Sequence, residues 1–173
     1  MIYLDHSATS FPKLKEVKQA VLESMDLCGN AARSMSQPAM DANYLIYETR
    51  EMIARYFHVS DSSKVILNSG NTESLNTVLK GILKPGDHVI TTYAEHNSVL
   101  RPLYQLERDQ KIQITFTDPY VESIKNAILE NTKMIIVTHS SNVTGEVYPI
   151  AKIGKLAHEK GILMVSDVAQ SAG

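Results

Sequence analysis

The stretch Met134-Ile135-Ile136-Val137-Thr138 is apolar on both faces and runs directly into the polar segment 139–145. A strand with this pattern is typical of a parallel sheet that is covered by helices on both sides. Four other β-prone runs surround it, and helical segments separate the runs. This alternation predicts an α/β fold, a three-layer sandwich with a mainly parallel sheet.

The predicted elements extend outward from this strand in both directions. Apolar spacing predicts helices over 12–28 and 39–58, with Ala42, Leu45, Met52 and Tyr56 among the residues on one face of the second helix. The remaining predicted strands cover 65–68, 88–92, 112–117 and 162–166. The remaining predicted helices cover 72–83, 98–108, 120–130 and 150–159. We expect an amino-terminal segment over 1–58 and a larger domain over 59–173.

Composition excludes several classes of protein. The chain has 173 residues and a formal charge of -2, which argues against a nucleic-acid-binding surface. No apolar run approaches the roughly 20 residues of a membrane span, and the start lacks the pattern of a secretory signal. A single Cys excludes a disulfide framework and fits a reducing cytoplasm. We therefore expect a cytoplasmic protein that binds neither nucleic acid nor membranes.

Polar residues follow four of the five predicted strands. Ligands of open α/β sheets bind beyond the carboxyl ends of the strands, so these residues are the candidates for a site. The segments are 69–73, 93–98, 139–145 and 167–171. The turn after the third strand, Asp118-Pro119, has the composition of a plain connection.

The segment Ser69-Gly70-Asn71-Thr72 joins a strand to a helix. The start of such a helix binds phosphate through its N–H groups, its dipole and a hydroxyl. An ordinary helix cap, made by Thr72 or Ser69, is the alternative. Neither a GxxxxGK[ST] nor a GxGxxG pattern is present, so nucleoside triphosphates and dinucleotides lack their usual signal.

Three further positions have open alternatives from the residues alone. Asp167 closes an apolar strand, where it could pair with the protonated ring nitrogen of pyridoxal 5'-phosphate (PLP), bind a metal or cap a helix. His96 could stack on a ring, act as a general acid or base, or cap a helix. Asn142 and Gln170 could donate hydrogen bonds to a phenolate or a carboxylate. One ligand, PLP, accounts for all of these loops together.

The same residues form motifs that resemble a known family. The chain is similar to the amino-terminal half of class V aminotransferase-type PLP enzymes, and most similar to the cysteine desulfurase and selenocysteine lyase group. The matching segments, in the order of the family, are YLDHSAT at 3–9, GNTESLN at 70–76, EHNSVLRP at 95–102, SNVTG at 141–145 and SDVAQSAG at 166–173. The resemblance implies the PLP-dependent transferase-like (fold type I) large domain, truncated, without its carboxyl-terminal part and small domain.

The resemblance also implies a role for each matched residue. The backbone of Asn71 and the side chain of Thr72 would hold the PLP phosphate, and His96, the expected catalytic residue, would stack on the ring and assist proton transfer. Asp167 would keep the ring nitrogen protonated. Three more residues would complete the contacts, two near the ring hydroxyl and substrate carboxylate and one on the other ring face: Asn142, Gln170 and Ala169. No metal site is expected.

The implied reaction is that of a cysteine desulfurase, which converts L-cysteine to L-alanine and leaves the sulfur on an enzyme cysteine. The implied partners are a cysteine or selenocysteine substrate, a second copy in a full-length homodimer and a sulfur-acceptor protein. The family's cofactor-linking lysine lies in a Ser-x-His-Lys type segment beyond the last matched motif. We therefore expect an amino-terminal fragment that is inactive as this chain alone.

Three hypotheses follow from the sequence. The first is the front part of a cysteine desulfurase-like enzyme, or of another class V aminotransferase or lyase. The second is a catalytically dead module that retains affinity for PLP or phosphate. The third is a different α/β phosphate-binding enzyme that uses Asp167 for a metal.

Overall fold

The computed structural model describes residues 2–32 and 34–172 of the chain. The chain divides into two compact units, Met1–Leu67 and Asn68–Gly173. The first unit is helical and the second contains a sheet. Among the described residues, no helix is both long enough and apolar enough to cross a membrane.

The first unit contains helix α1 (Lys15–Leu27) and helix α2 (Gln37–Tyr56). Both lie within a few residues of the predicted bounds. The side chains that α2 buries are small, namely Ala39, Ala42 and Ala54. The prediction that the large apolar side chains of this helix pack on one buried face is wrong, because Leu45, Met52 and Tyr56 are at least half exposed. A helix buries its apolar face against another layer of structure, and this unit has a single layer of helices. Many of the large apolar side chains of the two helices are therefore left exposed.

The second unit alternates helices and strands as the sequence predicts. Its elements are α3 (Asn71–Ile82), β1 (His88–Thr92), α4 (Asn97–Gln110), β2 (Gln113–Thr117), α5 (Val121–Asn126), β3 (Thr132–Thr138), α6 (Ile150–Glu159) and β4 (Leu163–Asp167). The three strand pairs of the described residues are all parallel, and the strand order is β2-β1-β3-β4. The predicted α/β fold with a parallel sheet is confirmed.

Side chains of the sheet alternate between two apolar cores. Val89, Met134 and Ile136 pack with α3 and α4, whereas Ile135 and Val137 pack with α5 and α6. Successive residues of a strand point to opposite faces, which is why one run of four apolar residues can serve both cores. The sheet is therefore the middle layer of three, with two helices on each face.

Two predicted elements of this region differ in the structure. Residues 65–68 form no strand, and Ile66 is 70% exposed. A strand needs a neighbour for its backbone hydrogen bonds, and none of the described strands pairs with this segment. The helix predicted over 120–130 is also shorter, because α5 ends at Asn126.

The order of the strands creates a crevice at one place along the sheet. The chain leaves β1 toward β2 on one side, and β3 then lies on the other side of β1. Neighbouring strands whose connections diverge in this way leave a crevice at their carboxyl ends, where α/β proteins bind ligands. The segments after β1, β3 and β4 therefore meet at the carboxyl ends of the strands, where the sequence predicts the site.

Candidate functional site

The side chain of Asp167 is the most buried charged group at the carboxyl ends of the strands. It ends β4 and is 4% exposed. Its Oδ1 accepts hydrogen bonds from Asn71 Nδ2 at 2.8 Å and from the backbone N–H of Ala169 at 3.0 Å. These bonds stabilise a carboxylate that would be costly to bury alone. Three of the predicted site residues are thus in direct contact.

The turn before α3 brings its first residue, Asn71, to the same place. Gly70 has a φ of 149° and a ψ of 175°, a backbone conformation that favours glycine, and no side chain caps the helix at this position. Instead, Glu73 accepts hydrogen bonds from both the hydroxyl and the N–H of Ser69, at 2.6 and 2.9 Å. The first N–H groups of a helix have no intrahelical partner, so those of Asn71 and Thr72 suit an anion.

Thr72 and His96 line one cleft with a volume of about 340 Å³, together with Arg101 from α4. His96 caps α4: its Nδ1 accepts a hydrogen bond from the backbone N–H of Ser98 at 3.1 Å. Since Nδ1 accepts, the proton of the neutral ring lies on Nε2. The capping role and a role in proton transfer are therefore compatible, because they use different ring nitrogens.

Two more of the predicted site residues lie in the segments that follow β3 and β4. Asn142 is exposed in the loop after β3 and lines a second cleft of about 470 Å³. Gln170 is exposed in the turn after β4, one residue beyond Ala169. Both lie beyond the carboxyl ends of the strands, as the sequence predicts.

One buried acidic residue of the site received no role in the sequence analysis. Glu95 follows β1, is 8% exposed and lines the second cleft. Its Oε1 accepts hydrogen bonds from Thr92 Oγ1 at 2.7 Å and from the backbone N–H of Thr138 at 2.9 Å. Burial raises the pKa of Glu95 to about 7, and the charge of Asp167 contributes to the increase. Its position, three residues beyond a predicted strand and directly before His96, was the available signal in the sequence.

These residues fit PLP on the grounds of their chemistry. A buried carboxylate at a strand end suits a protonated ring nitrogen, and a helix start with exposed N–H groups suits a phosphate. No lysine is among the described residues that line either cleft. Within residues 2–32 and 34–172, no three His, Cys, Asp or Glu side chains are grouped so that they could hold a metal ion.

Comparison with known proteins identifies relatives of this site and fold. Cysteine desulfurase IscS of Vesicomyosocius okutanii is 32% identical over 99% of this chain, and the alignment covers 45% of that protein. IscS of Anaeromyxobacter sp. strain K is 33% identical with the same coverage. The chain thus spans about half the length of the curated relatives it matches.

Comparison with solved structures also identifies a cysteine desulfurase. The cysteine desulfurase CsdA of Escherichia coli superimposes with a TM-score of 0.83 and 28% identity, over 98% of this chain and 45% of that one. SspA, solved in complex with cysteine, superimposes with a TM-score of 0.85 and 31% identity, over 99% and 51% of the two chains. The sequence profile of the family described as Aminotransferase class-V matches residues 2–173. The chain belongs to the class V aminotransferase family of PLP-dependent enzymes, and within it resembles the cysteine desulfurases.

Proposed function

We propose that this chain supplies the phosphate-binding and ring-binding part of a PLP-dependent cysteine desulfurase. The contact between Asn71 and Asp167 carries the proposal, because it joins the helix start that suits a phosphate to the carboxylate that suits a ring nitrogen. When bound, PLP supplies an electron-withdrawing ring that stabilises negative charge on the substrate carbon next to the amino group.

Each residue of the site has a separate task in this proposal. The N–H groups of Asn71 and Thr72 and the Thr72 hydroxyl bind the phosphate. Asp167 holds the proton on the ring nitrogen, and the two hydrogen bonds to Oδ1 fix the orientation of its carboxylate. His96 stacks on the ring and moves a proton at Nε2, since its Nδ1 is engaged by Ser98.

Three residues complete the proposed contacts with cofactor and substrate. Asn142 and Gln170 donate hydrogen bonds near the ring hydroxyl and the substrate carboxylate, and Ala169 covers the face of the ring opposite His96. The exposure of Asn142 supports its assignment, because this residue is accessible to a ligand. We infer that the substrate is L-cysteine, and that the full-length protein is a cytoplasmic homodimer that passes sulfur to an acceptor protein.

The activity is tested with the protein expressed from the complete reading frame that encodes this chain. With PLP, L-cysteine and a thiol reductant, we expect sulfide and alanine in equal amounts. A second assay adds a 2-oxo acid that can accept the amino group of cysteine. Formation of the corresponding amino acid in place of sulfide would identify an aminotransferase, and the absence of both products would favour a binding module. The 173-residue chain alone should release no sulfide above a heat-killed control.

A further inference from the structure

Glu95 lies at the crevice where the connections of the sheet diverge. Its side chain reaches from the end of β1 to the end of β3, because Oε1 accepts from both Thr92 and Thr138. Thr138 is in turn the register partner of Asp167 on β4. The carboxyl group of Glu95 therefore joins the ends of two strands, one of which pairs with the strand that carries Asp167.

The surroundings of Glu95 disfavour a negative charge. Its Oε2 is buried and has no hydrogen-bond partner. An ionised carboxylate would leave charge on that bare oxygen, whereas the protonated group leaves only a neutral hydroxyl there. The other ionisable residues that line the same cleft are acidic or phenolic, and none is a cation: Tyr93, Asp118, Tyr120, Glu146 and Tyr148. Asp167, from β4, adds a further negative charge.

We propose that Glu95 is a positioning residue whose carboxyl group ties the turn that carries His96 to the end of β3 and, in its uncharged form, leaves Asp167 as the single buried negative charge of the site. The role of His96 in this inference rests on the proposed function. Since Glu95 immediately precedes His96, an anchored Glu95 limits the movement of the imidazole. The raised pKa of Glu95 is consistent with this arrangement.

The protonation state is tested directly on the 173-residue chain. We expect the carboxyl carbon of Glu95, followed by ¹³C NMR, to titrate near pH 7. Glu107→Gln, a substitution at an exposed position of α4, is the control variant. A Glu95 that titrates with the exposed glutamates would overturn the inference, whether or not PLP binds.

The positioning role is tested by two substitutions of Glu95. Glu95→Gln retains an oxygen that can accept from Thr138 N–H, whereas Glu95→Ala leaves that buried N–H without a partner. We expect Glu95→Gln to bind PLP within about twofold of the unsubstituted chain, and Glu95→Ala to bind about tenfold more weakly. Equal affinity for PLP in Glu95→Ala, with its fold confirmed by circular dichroism, would overturn the positioning role.

The dependence of folding stability on pH distinguishes the inference about Glu95 from the proposed function. The stabilising effect of a raised carboxyl pKa is present below the unfolded pKa and is lost as pH rises toward the folded pKa of about 7. Between pH 5 and 7, Glu95→Gln should therefore gain stability relative to the unsubstituted chain, by up to about tenfold in the folding constant per pH unit, with little further gain above pH 7. No change with pH would contradict the inference. Failure of the unsubstituted chain to bind PLP would instead contradict the proposed function.

Discussion

At the scale of single residues, the two buried carboxyl groups of the site have different surroundings. Asp167 accepts hydrogen bonds from Asn71 and Ala169 on one oxygen. Glu95 has one oxygen in hydrogen bonds and another that is buried without a partner. Two acidic groups in different environments can hold different numbers of protons at the same pH. The proposed roles, a charged partner for a ring nitrogen and an anchor that can be uncharged, follow from that difference.

His88 is a buried histidine at the opposite end of the sheet from the site. It begins β1, is 1% exposed and contacts the hydroxyls of Thr115 and Thr132 at 2.9 and 2.8 Å. Both neighbours can satisfy a neutral imidazole, which needs one donor and one acceptor. Burial lowers the pKa of His88, so the folded chain resists protonation at this position.

This environment predicts that acid destabilises the chain through His88. A lowered folded pKa means that the stabilising effect is present above the unfolded pKa of about 6.5 and is lost as pH falls below it. Replacing His88 with Gln should reduce this loss between pH 7 and 5, measured by urea unfolding. Replacement of His158, in the last turn of α6 and exposed, serves as the control. If the stability of His88→Gln depends on pH in the same way as that of the unsubstituted chain, this explanation is contradicted.

At the scale of elements, local pattern predicted the helices and strands of the second unit well. The strand predicted over 88–92 and the helix over 150–159 have those bounds in the structure. Segment 65–68 has a β-prone composition, but strand formation also depends on a neighbour. The contact between Asn71 and Asp167 could not be predicted by spacing, because 96 residues separate the two positions.

Two glycines of the α3 region make a matched pair of tests. Gly70 has a positive φ before the helix, whereas Gly81 is helical and has open space where a Cβ would lie. We expect Gly70→Ala to cost about 1–3 kcal/mol and to weaken binding of PLP, because it strains the turn before Asn71. Gly81→Ala should stabilise the chain by about 0.5–1 kcal/mol, since alanine loses less entropy in a helix.

Urea unfolding and equilibrium dialysis with PLP measure both effects. A loss of stability in Gly81→Ala would contradict the open space described around that position. Unchanged affinity for PLP in Gly70→Ala would show that the turn before α3 is not part of the proposed phosphate site.

At the scale of the whole molecule, the described chain leaves much apolar surface exposed. No residue of α1 is buried, and Val17, Val21 and Met25 lie on one face of it at intervals of four residues. Soluble monomers rarely expose large contiguous apolar patches. The strands β2 and β4 are also edges of the described sheet, and unpaired edges promote association.

We therefore expect the chain to associate with itself when it is purified alone. Sedimentation velocity should show an average mass that increases with protein concentration. Replacing Val21 and Met25 with Glu should reduce the association, because both side chains are more than half exposed. A single sharp boundary of monomer mass at all concentrations would contradict this expectation.

The central claim is that this chain binds PLP through Asp167 and the start of α3. Equilibrium dialysis of PLP against the chain and its Asp167→Asn variant tests it most directly. Asp109→Asn, an exposed position on α4, is the matched control. We expect saturable binding that is weakened about tenfold or more in Asp167→Asn, because a charge-assisted contact is lost, and that is unchanged in Asp109→Asn. Equal affinity in all three proteins, or no saturable binding by the unsubstituted chain, would contradict the claim.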